Sequence, residues 1–352
     1  MGSERLQSGE RPPAGGLLRR YPTLWPFLAM LALLALNAFL TPGFLHIEMR
    51  LGDTAWDFRL FGPLVDVLRN GAPVMMLAIG MTLVIALAGI DLSVGSVMVL
   101  AGTSAALLMT AHGCSVPPAI AAALAAALVV GLFNGALVTY AGLQPIIATL
   151  VFLVAGRGIA QTLTGDQNIR FDVPGFSMLG SGTLLGLPVP VYIVAATAMA
   201  VALALHKTAL GLYIEAIGSN ARAARLAGLR VHAIRMLCYG FSGVCAGAAG
   251  LIVTADIRQA DVASCGLYLE LDAILAVVIG GTSFSGGRPR LLGSLFGVII
   301  MQTLTNVLVM HNVPSEHTLI VKAVVAMAVC LLQTPAAAGL LGRLRRATAG
   351  AA

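Results

Sequence analysis

Ten apolar runs, each long enough or nearly long enough to cross a hydrocarbon core about 30 Å thick, alternate with short polar segments along the chain. They lie at approximately 24–41, 71–89, 93–112, 119–140, 145–163, 188–206, 234–254, 269–283, 291–310 and 317–333, and each predicts a helix. The eighth is short and is flanked by Gly280, Gly281, Gly286 and Gly287, the pattern of a broken or re-entrant helix. An even number of crossings returns both termini to one side. On the other side, residues 42–70 form a sizeable loop. Within it Leu60–Asn70 reads as an interfacial helix, with Phe61, Leu64, Val65 and Leu68 opposed to Asp66 and Arg69. Residues 164–187 and 255–268 are polar, glycine-containing loops on that same side. The pattern gives an all-α, polytopic membrane domain over residues 21–335. Tails at 1–20 and 336–352 flank it, and residues 1–20 and 343–352 are too polar or too rich in small residues to fold alone. A faint internal repeat matches Leu132-Phe133-Asn134-Gly135 and the later Gln144-Pro145 to Leu295-Phe296-Gly297 and Val313-Pro314. In the predicted topology the two stretches run in opposite directions, as inverted transporter repeats do.

Composition agrees and sets the class. The chain is 58% hydrophobic and 10% charged, with a mean hydropathy of +0.92, whereas soluble domains carry about 25% charged residues. The first run, Leu24–Leu40, follows Arg19 and Arg20 but lacks a clear small-residue cleavage site, so it is expected to be retained as a span. The net charge of +6 is distributed as a membrane orientation signal rather than a nucleic-acid footprint. Fourteen basic residues, among them Lys207, Arg222, Arg225, Arg230, Arg235, Arg288 and Arg290, fall on the side of the termini; five fall on the other. That excess places both termini in the cytoplasm and the chain in a cell inner membrane. The five cysteines are scattered, without a CxxC pair, and read as small apolar fillers. His46, His112, His206, His232, His311 and His317 lie near predicted span ends and form no constellation with a nucleophile or a metal. No enzymatic site can be assembled, and no bound cofactor is expected.

The candidate chemistry lies where polar residues break apolar runs. Gly89-Ile-Asp-Leu-Ser-Val-Gly-Ser separates two long apolar stretches and carries Asp91 and Ser93. Two roles fit. Asp91 or Ser93 caps the following helix at a membrane surface, or Asp91 sits at depth in backbone that lines protein or a wet path. Asn134, Gln144, Thr149, Gln302, Thr303 and Asn306 could line a polar path for an uncharged solute and suit helix-to-helix hydrogen bonds equally well. Arg157, between Gly156 and Gly158 within a span, needs a partner or a water-filled cavity; Asp91, Glu270 and Asp272 are candidates. Lys322, one turn inside the last span, is expected to snorkel to the interface. Gly243 and Gly247 share a helix face that permits close helix approach, within the chain or between two copies.

The cytoplasmic loop 207–233 contains a short amphipathic helix. Asn220 is its cap, Ala223, Leu226 and Ala227 lie on one face, and Arg222 and Arg225 on another. Such an element suits either topology alone or the docking of a cytoplasmic partner. No GxxxxGK motif followed by Ser or Thr occurs, so ATP hydrolysis by that machinery would have to reside in another chain.

Three stretches in order, Gly89–Ser96, Ala216–Leu229 and Ala276–Arg288 (AVVIGGTSFSGGR), resemble the permease subunits of ribose-type ATP-binding-cassette (ABC) sugar importers. The resemblance runs from about Leu60 to Leu332. Arg59-Leu-Phe-Gly, Ala78–Ala86, Ala255–Asp261 and Leu269–Gly281 look most like the galactofuranose-transporter permeases, while Gln259 and Thr282-Ser283-Phe284 depart from the expected pattern. It implies a type II ABC importer-like permease that carries a monosaccharide by alternating access, galactofuranose-like or, failing that, ribose or another pentose. The loop holding Glu215, Gly218, Asn220, Arg222, Arg225 and Gly228 would seat in a separate ATPase subunit, which holds the ATP and magnesium. An external sugar-binding protein, a second permease chain and membrane lipid complete the implied partners. An ion-coupled secondary sugar transporter is the alternative from the residues alone, and Asp91 is its only support.

Overall fold

The structure, a computed structural model, describes residues 23–51 and 58–333; both predicted tails lie outside them. Among the described residues thirteen helices follow in order: α1 Leu24–Leu40, α2 Pro63–Ala86, α3 Val94–Thr110, α4 Val116–Thr139, α5 Pro145–Thr164, α6 Pro174–Ser181, α7 Val189–Lys207, α8 Leu210–Ser219, α9 Ala221–Leu226, α10 Val231–Ile257, α11 Leu269–Ile279, α12 Leu291–Met310 and α13 Ser315–Gln333. Among the described residues six of them (α2, α4, α5, α7, α10 and α12) are long and apolar enough to cross a membrane. Helices α2, α4, α5, α6 and α7 begin with proline in their first turn, where the missing N–H would be unpaired in any case. Among the described residues the loops add what an all-α expectation omits, three short antiparallel strand pairs. They join β1 Glu48–Leu51 to β2 Phe58–Phe61, β3 Ile169–Arg170 to β6 Gln259–Ala260, and β4 Thr183–Leu184 to β5 Leu187–Pro188.

The expected interfacial helix at Leu60–Asn70 is not a separate element. β2 ends at Phe61, and α2 runs unbroken from Pro63 through Pro73 to Ala86. Val65 and Val67 are buried, so the amphipathic pattern there records one half-packed end of a spanning helix.

Helices α2, α3 and α10 form the centre, and their contact is made by small residues. A Cβ on Gly80 would lie 2.9 Å from the Ser242 Cα, and one on Gly250 would fall against the Met98 carbonyl oxygen of α3. Backbones that approach this closely gain dispersion contacts and interhelical hydrogen bonds, which are what hold helices together in lipid. Gly243 and Gly247 both face α4, so their stripe serves packing within this chain.

Both central long helices end in a left-handed residue followed by non-helical chain that turns back. After α2, Ala88 (φ 57°) redirects residues 89–93, and α3 begins beside α10 at the level of Ser242. Ser242 stands about 16 Å along a helix about 40 Å long, so α3 starts well inside the bundle. After α10, Arg258 (φ 52°) redirects residues 259–268, and the eleven-residue α11 starts at Leu269. At about 1.5 Å per residue α11 spans roughly half of a bilayer core. The first turns of α3 and α11 touch: a Cβ on Gly95 would lie 2.5 Å from Glu270 Oε2 and 2.7 Å from the Gly266 carbonyl oxygen.

Candidate functional site

Asp91 is 1% exposed and forms no ion pair among the described residues. Its carboxylate is held by hydroxyls and one amide. Ser93 donates to Oδ1 through its N–H (3.1 Å) and its Oγ (2.5 Å), and Ser242 Oγ donates to Oδ2 at 2.9 Å. Asn134 Nδ2 of α4 donates in turn to Ser93 Oγ at 2.8 Å. The Leu92 N–H donates to Thr149 Oγ1 of α5 at 3.1 Å, and the Thr149 hydroxyl donates to the Pro145 carbonyl at 2.9 Å. Three helices, α4, α5 and α10, are thus tied to one backbone break. The positive end of α3 also favours a carboxylate here. No side-chain hydrogen bond caps α3, whose N-cap is Ser93, so of the two roles the one seen is burial of Asp91 inside the bundle. Next to this network Asn134 Oδ1 and Tyr239 Oη are buried without a hydrogen-bond partner among the described residues.

Ser242→Ala is expected to cost about 1–3 kcal/mol, because it leaves a buried carboxylate oxygen without its donor. Thermal unfolding of the purified chain in detergent checks this; an unchanged midpoint would mean that Oδ2 has another donor.

The other polar candidates separate. Gln302 packs on Gly71, and Asn306 Nδ2 donates to the Pro63 carbonyl at 3.1 Å, so both join α12 to α2. Thr303 is buried in the same region. Gln144 is exposed at the N-cap of α5. Arg157 bonds none of the three carboxylates considered for it: its Nη1 donates to the carbonyls of Ala263 (3.1 Å), Cys265 (3.3 Å) and Val262 (3.5 Å). Its role is to satisfy the carbonyls of Val262, Ala263 and Cys265 in the turned-back segment before α11. Lys322 does not snorkel. Its Nζ meets Asp272 Oδ2 of α11 at 2.7 Å, with side chains 12% and 17% exposed. Glu270, at the α11 N-terminus, is 6% exposed and its Oε2 has no hydrogen-bond partner among the described residues.

In the 207–233 loop the single expected helix is two. α8 ends at Ser219, and Asn220 caps α9, its Oδ1 accepting from the N–H groups of Arg222 (3.1 Å) and Ala223 (3.0 Å). Ala224, not Ala223 or Leu226, is the α9 residue turned inward; Leu226 is 90% exposed. Arg222 is exposed, and Arg225 Nη2 lies 2.7 Å from His232 Nε2. Gly228 (φ 86°) makes the turn into α10. Glu215 faces the chain itself: Arg288 Nε donates to its Oε1 at 2.6 Å. Gly218 is buried against the end of α2, where any Cβ would fall inside the Ala86 carbonyl oxygen. That same carbonyl accepts from the Gly287 N–H at 2.8 Å. The α8–α9 pair, the glycine loop 280–290 and the last turn of α2 are therefore locked together, and residues 87–93 lead from that lock directly to Asp91.

Sequence reasoning passed over Ser242 and Tyr239 and read Arg288 only as a topology charge and the end of a motif. Ser242 and Arg288 lie 151 and 73 residues along the chain from their carboxylate partners.

The chain matches the family model described as branched-chain amino acid transport system / permease component over residues 64–330. It is 48% identical over 316 residues to the galactofuranose transporter permease protein YtfT of Escherichia coli (strain K12), covering 90% of this chain and 91% of that protein. Similarity to the fructose import permease protein FruF of Bifidobacterium longum (strain NCC 2705) is 42% identity over 291 residues, 82% of each chain. To the ribose import permease protein RbsC of Escherichia coli (strain K12) it is 37% over 309 residues, 87% and 91% of the two chains. No solved structure matches. The chain belongs to the branched-chain transport permease family.

Proposed function

We propose that this member of the permease family is the membrane-spanning subunit of an ABC importer, taking up a monosaccharide, galactofuranose-like, across the bacterial inner membrane. The reading rests chiefly on the ordered, exposed α8–α9 surface. Arg222 and the 90%-exposed Leu226 project from α9, beside α8, whose inner face is locked to α2 and the glycine loop. A separate ATPase, holding ATP and magnesium, docks there. Its nucleotide cycle moves the 207–233 loop, and with it the end of α2 and the Asp91 break. A soluble binding protein delivers sugar to the opposite face, and two copies or two related chains share a central path.

In this reading ten helices span: α1 to α5, α7 and α10 to α13, with α3 and α11 entered from turned-back breaks and both termini cytoplasmic. The α2–break–α3–α4 and α10–break–α11–α12 series run in opposite senses, which supports an inverted repeat. Asp91, Ser93, Asn134 and Thr149 hold the path shut in this conformation rather than facing a sugar; Gln144 and Arg157, on α5, are the path candidates with accessible surface. Gln302 and Asn306 belong to helix packing. The galactose-type assignment follows the 48%-identical relative; fructose and ribose are the competing sugars.

Uptake of labelled galactose, fructose and ribose, in cells holding the chain with its partners, tests both parts. Chain-dependent galactose uptake that scales with its furanose fraction is expected. Arg222→Glu should lower that uptake by about tenfold or more with expression unchanged, since like-charge contacts across an interface cost several kcal/mol. Normal uptake by that variant contradicts the docking assignment. Chain-dependent uptake of ribose or fructose instead contradicts the sugar and keeps the importer.

A further inference from the structure

A cavity of about 250 Å³ opens on the flank of the bundle between α7, α8 and α10. Its wall is apolar throughout, formed by Leu83 of α2, Ala200 and Ala204 of α7, Leu210 of α8, and Cys238 and Phe241 of α10. Leu83 and Cys238 at its floor are 5% and 1% exposed, while Leu237 at its mouth is 54% exposed, so it opens sideways toward lipid. Two cations stand below it on the same faces. Lys207 follows Ala200 and Ala204 by seven and three residues on α7, and Arg235 precedes Cys238 by three on α10, spacings that put side chains on one helix face. Neither Lys207 nor Arg235 has an ion pair or side-chain hydrogen bond among the described residues. Both lie at the loop ends of their helices, next to α8.

We propose that this crevice is a binding site for an anionic phospholipid of the cytoplasmic leaflet. An acyl chain fills the apolar cavity, and the phosphate sits between Lys207 and Arg235. An acyl chain is the occupant that matches a wall without polar groups facing hydrocarbon, and the charge pair beneath it selects a negative headgroup over a zwitterionic one. Leu210, the first residue of α8, lines the cavity, so the lipid stands against the first turn of the helix that the ATPase reading assigns to docking. The site depends on the membrane-spanning orientation and not on the sugar or the ATPase.

Native mass spectrometry of the purified full-length chain in detergent, titrated with phosphatidylglycerol or phosphatidylcholine of matched chains, tests it without reference to transport. The expected result is a retained phosphatidylglycerol adduct and weak phosphatidylcholine retention. Lys207→Gln with Arg235→Gln, two changes at unpaired side chains, should weaken phosphatidylglycerol retention by about tenfold or more, each cation contributing about 1 kcal/mol toward an anionic headgroup. Ala204→Phe, which fills the cavity from the flank, should remove the adduct while both cations remain. Equal retention of the two lipids, or full phosphatidylglycerol retention by the double variant, overturns the proposal.

Discussion

Lys322→Met is expected to destabilise the chain by about 3–5 kcal/mol, because it leaves Asp272 as an uncompensated buried charge. The two side chains meet at 2.7 Å between α11 and α13 and are only 12% and 17% exposed. Short, half-span α11 has few other ways to hold α13, so the loss should appear as a lowered unfolding midpoint in detergent and as reduced accumulation in the membrane. The control separates the pair from its parts. Lys322→Met combined with Asp272→Leu removes both charges, and similar-volume apolar replacements of a buried pair are often neutral or stabilising. A double variant as unstable as the single one would show that the pair is not the cause.

Gly218→Val is the second large effect, and it should act on coupling more than on insertion. A Cβ at Gly218 collides with the Ala86 carbonyl and would stand 2.6 Å from the Gly287 nitrogen, the two atoms that bond each other across the lock. The α8–α9 pair must then move outward, at a cost of about 1–3 kcal/mol for overpacking, and it loses its connection to the end of α2. Uptake should fall below detection while the protein still reaches the membrane. The adjoining pair gives an independent check: Glu215→Arg should impair uptake, and Arg288→Glu added to it should restore much of the loss. Glu215 therefore works through its own chain, and Arg222 is the better probe of the partner.

Several apolar helices were readable because lipid imposes a single rule, that apolar residues fill the length of a helix whose backbone pairs with itself. The runs at 24–41, 145–163 and 291–310 coincide within a residue with α1, α5 and α12. The start of α2 was not readable, because Asp66 and Arg69 read as the polar face of a surface helix. Arg69 in fact pairs with Asp256 at the end of α10, a partner 187 residues away. The short α11 was legible as a broken helix from its glycines, yet its preceding turned-back segment was not, since Arg157 supplies the hydrogen bonds from another helix.

The candidate site was legible in its local part. Asp91 and Ser93 are two residues apart, and Asn220 caps the segment that follows it, so spacing alone marks both. Ser242, Arg288 and the Lys322–Asp272 pair depend on which helices touch, and a charge inside an apolar run does not announce whether it snorkels or pairs. Gln302 and Asn306 illustrate the same ambiguity: an amide in a span serves a sugar or a neighbouring helix, and only the Pro63 carbonyl at 3.1 Å decides for Asn306.

The most direct test of the importer reading is uptake of labelled sugar into proteoliposomes that hold this chain with its ATPase and binding protein, ATP present or absent inside the cytoplasmic-facing compartment, and ion gradients collapsed by ionophore. Uptake that requires ATP and survives the ionophore is the predicted result. Uptake that continues without ATP and stops with the ionophore would make the chain an ion-coupled carrier and contradict the docking role of α8 and α9.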